Sequence, residues 1–97
     1  MPENEVAFAR RTASGIIHKN SCHLVGVIVT SKDSKSGYVD VYDGENTAQE
    51  KVMRVRAVQN TSRPVMFPKP VIMRRGLYVY LNDDAEEFTV FWKTITD

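Results

Sequence analysis

Three residues of the kind that bind zinc lie within six positions of one another, in the stretch HKNSCH. They are His18, Cys22 and His23. A zinc site needs four ligands in tetrahedral geometry, usually supplied as two spaced pairs, and the sequence contains no further Cys or His. Cys22 and His23 are adjacent, so in a strand their side chains would point to opposite faces. We therefore predict a turn at residues 19–21, with Cys22 as a small buried hydrophobic residue, and no metal site.

The same residues do not suggest nucleophilic catalysis. A Cys–His pair needs both side chains on one side and a third group that orients the histidine. The sequence has no nucleophile elbow, no phosphate-binding glycine loop and no HExxH motif. Paired carboxylates for acid–base chemistry could come only from DDAEE, residues 83–87, which we place at the polar tip of a hairpin. The sequence therefore predicts a protein that is not an enzyme and uses no cofactor.

The charges are nearly balanced in number but uneven along the chain. The net charge of the 97 residues is +1. No acid occurs between Lys51 and Leu81, whereas acids dominate from Asn82 onward. This asymmetry is compatible with three arrangements. The basic segment could form a binding face, the basic and acidic segments could be neighbours in one sheet and neutralise each other's charge, or copies of the chain could associate side to side. The single cysteine excludes an internal disulfide framework, and no apolar run is long enough for a signal peptide or a membrane helix.

Alternating apolar residues indicate short β-strands along most of the chain, and helix signals are nearly absent. Residues 38–44, YVDVYDG, place Val39 and Val41 inward and Tyr38, Asp40 and Tyr42 outward, before an Asp-Gly turn. ENTAQE, residues 45–50, is too short for an independent helix and is expected to be a loop. Strands at about ten-residue spacing predict an all-β, single-domain antiparallel β-sandwich of about seven or eight short strands, either jelly-roll-like or a small barrel.

The remaining strands show the same alternation. Residues 22–31, CHLVGVIVTS, are apolar on both faces and predict a central strand in which Gly26 marks a bulge or a close approach. Leu24, Gly26 and Ile28 would lie on one face and Val25, Val27 and Val29 on the other. Three further strands have two distinguishable faces. In the first, Met53, Val55 and Ala57 lie on one face and Arg54 and Arg56 on the other. In the second, Leu77, Val79 and Leu81 lie opposite to Tyr78 and Tyr80. In the third, Phe88, Val90 and Trp92 lie opposite to Thr89, Phe91 and Lys93.

Two regions are expected to depart from this regular pattern. Pro68 and Pro70 are predicted to end one strand and begin the next at a sheet edge, where a missing N–H group does little harm. Arg74, Arg75 and Gly76 would then form a basic turn before LYVYL. Residues 1–12 are polar and predict an extended N-terminal arm that becomes ordered only against another surface, which leaves residues 13–97 as the sandwich domain.

GYVDVYDGENTAQEKVMRV, followed by FPKPV, GLYVYL and FTVFWK, resembles a pattern found in small virion proteins of tailed bacteriophages, especially those of aquatic hosts. In that pattern a strand ending in YDG leads to a loop of small residues and a basic–apolar strand. An F-P-x-P strand, a G-L/V-Y-V strand and a last strand ending in aromatics follow. The likeness covers residues 24–93. It implies a non-enzymatic β-sandwich of the virion, assembled in the host cytoplasm, that acts as a capsid decoration (cement) subunit, a head–tail or tail component, or the base of a spike. Of these we expect a capsid decoration protein that stabilises the particle.

The resemblance also implies the kind of partner. These would be other virion proteins, namely the major capsid protein or a tail or portal component, together with further copies of the chain in a symmetric homo-oligomer. The arm would lie along a neighbour, arginines would meet acidic surface, and exposed tyrosines, with Phe91, would be candidate hot spots. The predicted partner-binding residues are Val6, Phe8, Arg10, Arg11, Arg54, Arg56, Arg63, Arg74, Arg75, Tyr78 and Tyr80.

Two other functions stay open at this point. A carbohydrate- or receptor-binding module of a tail or spike would present coplanar exposed aromatics beside Asp or Asn. A small barrel that binds single-stranded nucleic acid would need the arginines of one strand and Tyr78 and Tyr80 on the same sheet surface. The near-neutral net charge and the outward Asp40 disfavour nucleic acid. We expect no membrane partner.

Overall fold

The computed structural model describes residues 6–94, which form eight β-strands and no helix. Within these residues there is accordingly no helix that could span a membrane. The strands are β1 (Ala7–Arg11), β2 (Gly15–His18), β3 (Cys22–Ser31), β4 (Tyr38–Asp43), β5 (Glu50–Arg56), β6 (Ser62–Met73), β7 (Leu77–Leu81) and β8 (Ala85–Thr94). The all-β prediction and the strand count are confirmed.

The strands form two four-stranded antiparallel sheets that pack as a sandwich and do not close into a barrel. Sheet A has the order β1-β8-β3-β6, and sheet B has the order β2-β7-β4-β5. The chain forms one long hairpin that is rolled up so that its successive antiparallel strand pairs alternate between the sheets. These pairs are β1 with β8, β2 with β7, β3 with β6 and β4 with β5. This is the jelly-roll arrangement, and the barrel alternative is wrong.

Only the β4–β5 connection joins neighbouring strands of one sheet; each other connection between the eight strands crosses from one sheet to the other. We expected the polar turn after Leu81 to be the tip of a hairpin. This is wrong, because β7 and β8 lie in opposite sheets. The turn at residues 19–21 is present and also crosses the sandwich, since β2 lies in sheet B and β3 in sheet A. The loop expected at residues 45–50 is present up to Gln49.

The core lies between the sheets and is built from the inward residues of the central strands. Sheet A contributes Leu24, Val27 and Val29 from β3 and Phe88 and Val90 from β8, all with almost no exposed surface. The faces predicted for β4, β5, β7 and β8 are confirmed. The face predicted for Leu24 is wrong, because a register shift between Leu24 and Gly26 places Leu24 on the same side as Val27 and Val29. That shift is the bulge that Gly26 predicted.

The proline-containing segment is one strand and not two. Residues from Ser62 to Met73 all belong to β6, which is an edge strand of sheet A. Opposite the β3 bulge the pairing jumps from Met66–Gly26 to Val71–Leu24, so residues 67–70 bow out of the ladder. The two prolines lie in this bow, where no cross-strand partner requires their missing N–H groups. The edge position is confirmed, and the predicted break into two strands is wrong. Residues 74–76 form the expected turn.

The N-terminal segment is extended, but the surface against which it lies is its own chain. Residues Ala7–Arg11 pair with β8 in continuous register and complete one edge of sheet A. Ala9 is buried in the sandwich core. From residue 7 onward the expected arm is thus a strand of the sandwich, and residues 1–5 of it lie outside the described residues.

Candidate functional site

The outer face of sheet B carries four tyrosines arranged around one carboxylate. Tyr38 and Tyr42 come from β4 and Tyr78 and Tyr80 from β7, the strand beside it. Asp40 lies between them and is directly opposite Arg54 on β5 and Tyr80 on β7. We call this surface the tyrosine face; it consists of Tyr38, Asp40, Tyr42, Lys51, Arg54, Arg56, Tyr78 and Tyr80. The arginines of β5 and the tyrosines of β7 therefore share one surface, as the nucleic-acid hypothesis required.

Asp40 holds the cations of the tyrosine face in place. Arg54 donates from Nε and Nη2 to the two carboxylate oxygens of Asp40, at 2.7 and 3.1 Å, and Lys51 Nζ lies 3.3 Å from Oδ2. Asp40 is only 3% exposed. Burial alone would raise the pKa of Asp40, but the hydrogen bonds and charges of Arg54 and Lys51 outweigh burial and hold the pKa below 3.8. From solvent the face therefore presents cations and aromatic edges, while its anion is covered.

The ring faces of the tyrosines are largely engaged with neighbouring groups. The Arg54 guanidinium lies 3.9 Å from the Tyr38 ring centroid, and the Arg56 guanidinium lies 5.0 Å from it. Tyr38 and Tyr80 are tilted by 45°, and Tyr42 meets Tyr78 edge to face at 66°. A sugar-binding platform or a base-stacking surface needs open, roughly coplanar rings. This geometry favours neither of those ligands.

The outer face of sheet A carries a row of apolar side chains that crosses all four strands. Phe8 of β1 is opposite Phe91 of β8, Phe91 is opposite Gly26 of β3, and Gly26 is opposite Met66 of β6. The Phe8 and Phe91 ring centroids are 6.4 Å apart. Gly26 leaves the space that the Met66 side chain occupies, since a Cβ there would lie 2.8 Å from Met66 Cε. We call Phe8, Met66 and Phe91 the apolar row.

The two ends of the apolar row are open to solvent, and Phe91 between them is partly exposed. Phe8 is 68% exposed, Met66 is 54% exposed and Ile72, further along β6, is 50% exposed. Contiguous exposed aromatic and Met side chains mark interaction surfaces. Phe91 thus lies on an outer face and not in the core between the sheets, and the same is true of Tyr78 and Tyr80.

A third feature is a groove along the open side of the sandwich, between edge strand β5 and edge strand β6. Its volume is about 300 Å³. The groove, which we call the arginine groove, is lined by Met53, Arg54, Val55, Arg56, Arg63 and Val65. Among the described residues, the lining contains three cations and no acid. Arg63 thus joins the two arginines of β5, although it belongs to the other sheet.

The other predicted partner-binding residues are distributed over three places. Val6, Phe8, Arg10 and Arg11 lie at the opposite edge of sheet A, where Arg10 Nε donates to Glu87 Oε1 of its own chain at 2.9 Å. Arg74 and Arg75 lie in the β6–β7 turn, where the Arg75 N–H donates to Asp43 Oδ1 at 2.7 Å. The predicted set is therefore not one site. Sequence reasoning missed Met66, Ile72 and Lys51, because only the strand pairing places them beside the predicted residues.

The residues considered first for metal binding or catalysis are not brought together. Cys22 is fully buried on the inner side of β3, and His23 lies on the outer side. Burial, with a smaller contribution from the Asp43 charge, raises the pKa of the Cys22 thiol to about 11. Among residues 6–94 there is no group of three or more His, Cys, Asp or Glu side chains that could hold a metal ion. The absence of a metal site and of catalysis in the whole chain stays a prediction.

A polar cavity of about 340 Å³ lies at the end of the sandwich formed by the β1–β2, β3–β4 and β7–β8 connections. Two of its lining groups have partners within the chain. Ser14 Oγ accepts from the Leu81 N–H at 2.7 Å, and Asn82 Oδ1 accepts from the Asp84 N–H at 3.0 Å. These bonds hold the connections together, and they leave fewer groups to recognise a ligand.

No protein-family model matches the chain, and no significantly similar protein was found among curated proteins or solved structures.

Proposed function

We propose that this chain is a non-enzymatic structural protein of a bacteriophage virion, most specifically a capsid decoration protein that stabilises the particle through protein–protein contacts. The apolar row carries the proposal. Three large apolar side chains in register across one sheet face expose to water a surface that gains free energy when a partner covers it. The row would lie against the major capsid protein or another virion component, or against a second copy of the chain.

The composition of the outer faces supports binding by contact and not by chemistry. Aromatic residues, Met and Arg are the residue types enriched in protein interfaces and in their hot spots. Sheet A presents Phe8, Met66 and Phe91, and sheet B presents tyrosines with Arg54 and Arg56. The jelly roll is also a fold that viral capsid proteins use, although the same fold occurs in lectins and cupins, so this support is an analogy at the level of the fold.

The proposal is tested by locating the chain in particles. Particles of the phage that encodes the chain are purified on a density gradient, treated with nuclease and protease, and analysed by mass spectrometry and by immunogold labelling. We expect the chain in stoichiometric amounts, on the head. Its absence from purified particles would contradict the proposal.

Reconstitution tests the apolar row itself. Purified protein is added to particles assembled without the chain, and the bound fraction is measured after sedimentation. Phe8→Ser with Met66→Ser should reduce binding by about tenfold or more, because both side chains are more than half exposed and contribute area to the interface and little to the core. Val58→Ser is the matched control, since Val58 is 66% exposed but lies outside the sheets. Equal binding by both variants would exclude this face.

A further inference from the structure

We propose that the arginine groove binds an extended acidic segment of a partner protein, which adds as a fifth strand to the free edge of β5. This inference deepens the proposed function, because it names the chemistry of one partner segment and the place where it binds. It rests on the charge of the groove, on the state of the two edges that flank it, and on the apolar floor between them.

The charge of the groove is unbalanced. Arg54, Arg56 and Arg63 line it, and no Asp or Glu of residues 6–94 does. Within residues 6–94 neither Arg56 nor Arg63 has a carboxylate within ion-pair distance. Arg54 is paired with the covered carboxylate of Asp40, so its position is fixed while its side chain remains 41% exposed. Arg56 and Arg63 therefore present two arginine forks that can bind carboxylates in bidentate geometry, and the exposed part of Arg54 adds positive charge beside them.

The two flanking edges differ in their capacity to accept a strand. β6 contains Pro64, Pro68 and Pro70, which have no N–H groups to donate, and part of it bows out of its ladder. β5 has seven residues and no proline, and among the described strands it pairs only with β4. Its outer edge therefore offers unpaired backbone groups to an extended chain, which is the requirement for strand addition.

The floor of the groove suits the alternating side chains of a strand. Met53 and Val55 of β5 and Val65 of β6 line it, between the arginines. Successive side chains of an added strand would point alternately to this floor and to the tyrosine face with its cations. A peptide in which acidic and apolar residues alternate matches both sides. Single-stranded nucleic acid matches less well, because the Tyr38 ring beside the groove is already covered by Arg54 at 3.9 Å.

The experiment is a fluorescence-anisotropy titration of the full chain with a labelled seven-residue peptide, as long as β5, in which glutamate and valine alternate. Three comparison probes are used: the peptide with glutamine for glutamate, the peptide N-methylated along one edge, and a single-stranded oligothymidylate of equal charge. At about 50 mM salt we expect saturable binding of the acidic peptide in the micromolar range. The three comparison probes should each bind at least about tenfold more weakly.

Paired variants locate the site. Arg56→Glu with Arg63→Glu should weaken peptide binding by about tenfold or more, because it reverses charges that line the groove. Arg74→Glu with Arg75→Glu makes the same change in net charge at the β6–β7 turn and should change binding by less than about threefold. Circular-dichroism melting checks that both variants are folded. Should the charge reversal prevent folding, Arg56→Gln with Arg63→Gln replaces it, with the matching glutamine pair at the turn.

Four results would overturn the inference. These are no saturable binding of the acidic peptide, equal weakening by the two charge-reversal pairs, undiminished binding of the N-methylated peptide, and tighter binding of the oligothymidylate, which would make the groove a nucleic-acid site. The titration uses the isolated chain and no particles. Absence of the chain from virions would therefore contradict the proposed function and leave the peptide result standing, and a failed titration would leave the apolar row untouched.

Discussion

At the scale of single residues, Asp40 is the most consequential side chain of the described structure. Its side chain lies on the outward side of β4 but is buried. It accepts two hydrogen bonds from Arg54 and forms an ion pair with Lys51. Because its folded pKa is depressed, its contribution to stability is present above its ordinary pKa of 3.8 and is lost as the pH falls through the lower folded value. The tyrosine face should therefore loosen in acid.

Asp40→Asn should lower the free energy of unfolding at pH 7 by about 1–2 kcal/mol, because it removes charge-assisted hydrogen bonds but keeps the shape. The difference from the unmodified protein should shrink as the pH falls below 3.8 and through the lower folded pKa of Asp40, because only below both values is the carboxylate protonated in both states. Urea denaturation at several pH values measures this. Asp83→Asn, at an exposed position of the β7–β8 turn, is the control. A difference that does not depend on pH would contradict the assignment.

Cys22 is expected to be chemically inert in the folded protein. A pKa of about 11 leaves roughly one thiol in ten thousand as thiolate at pH 7, and the side chain is fully buried. Labelling with 5,5′-dithiobis(2-nitrobenzoate) should be at least about a hundredfold slower in the native protein than in urea. Rapid stoichiometric labelling without denaturant would show that β3 opens readily or that the thiol is accessible.

At the scale of elements, the connections at one end of the sandwich are held by a small buried network. Ser31 Oγ donates to the Ala57 carbonyl at 2.9 Å and accepts from the Gly37 N–H at 2.8 Å. The Ala57 N–H donates in turn to the Gly37 carbonyl at 2.9 Å. Gly37 also packs directly on the backbone of Ala85 at the start of β8. This network fixes the β3–β4 and β5–β6 connections on either side of the core.

Gly37→Ala should destabilise the protein by about 3 kcal/mol or more, because an added Cβ would occupy the space of the Ala85 backbone and cannot be accommodated by a rotamer change. Gly15→Ala is the matched control: nothing lies within 4 Å of a Cβ at that position. It should change stability by less than about 1 kcal/mol. Chemical denaturation of both variants gives the comparison, and similar losses would mean that the close approach of Gly37 to β8 is not important.

At the scale of the whole molecule, the rolled hairpin explains why the N-terminal segment is not a detachable arm. In this topology β1 and β8 are partners, so the two terminal strands of the described structure complete the same sheet. The charge asymmetry along the chain is resolved by the same topology. The basic strands β5 and β6 lie at one side of the sandwich, whereas the acidic β8 lies inside sheet A, and Glu87 pairs with Arg10 at the opposite edge.

Deletion of residues 1–11 should lower the melting temperature by about 10 °C or more, because β8 loses one of its two neighbouring strands and the core loses the cover of Ala9. Size-exclusion chromatography with light scattering should also show new association through the exposed edge of β8. Ala9→Asp should reproduce the thermal loss, whereas Arg11→Asp, an exposed position of the same strand, should not. An unchanged melting temperature after the deletion would restore the interpretation of a separate arm.

The sequence by itself determined the strand content, the inward and outward faces of β4, β5, β7 and β8, the bulge at Gly26 and the turns at residues 19–21 and 74–76. These features follow from side-chain period and turn chemistry, which are local. Pairing with distant strands decided three further features. These are the position of β1, the continuity of β6 through its prolines, and the sheet face on which Leu24 lies. The same is true of the three surfaces, because the apolar row, the tyrosine face and the arginine groove each combine residues from strands far apart in the chain. The alternation of residues along a strand predicts which way a side chain points. Only the strand order and the register of the sheet determine which side chains lie beside it.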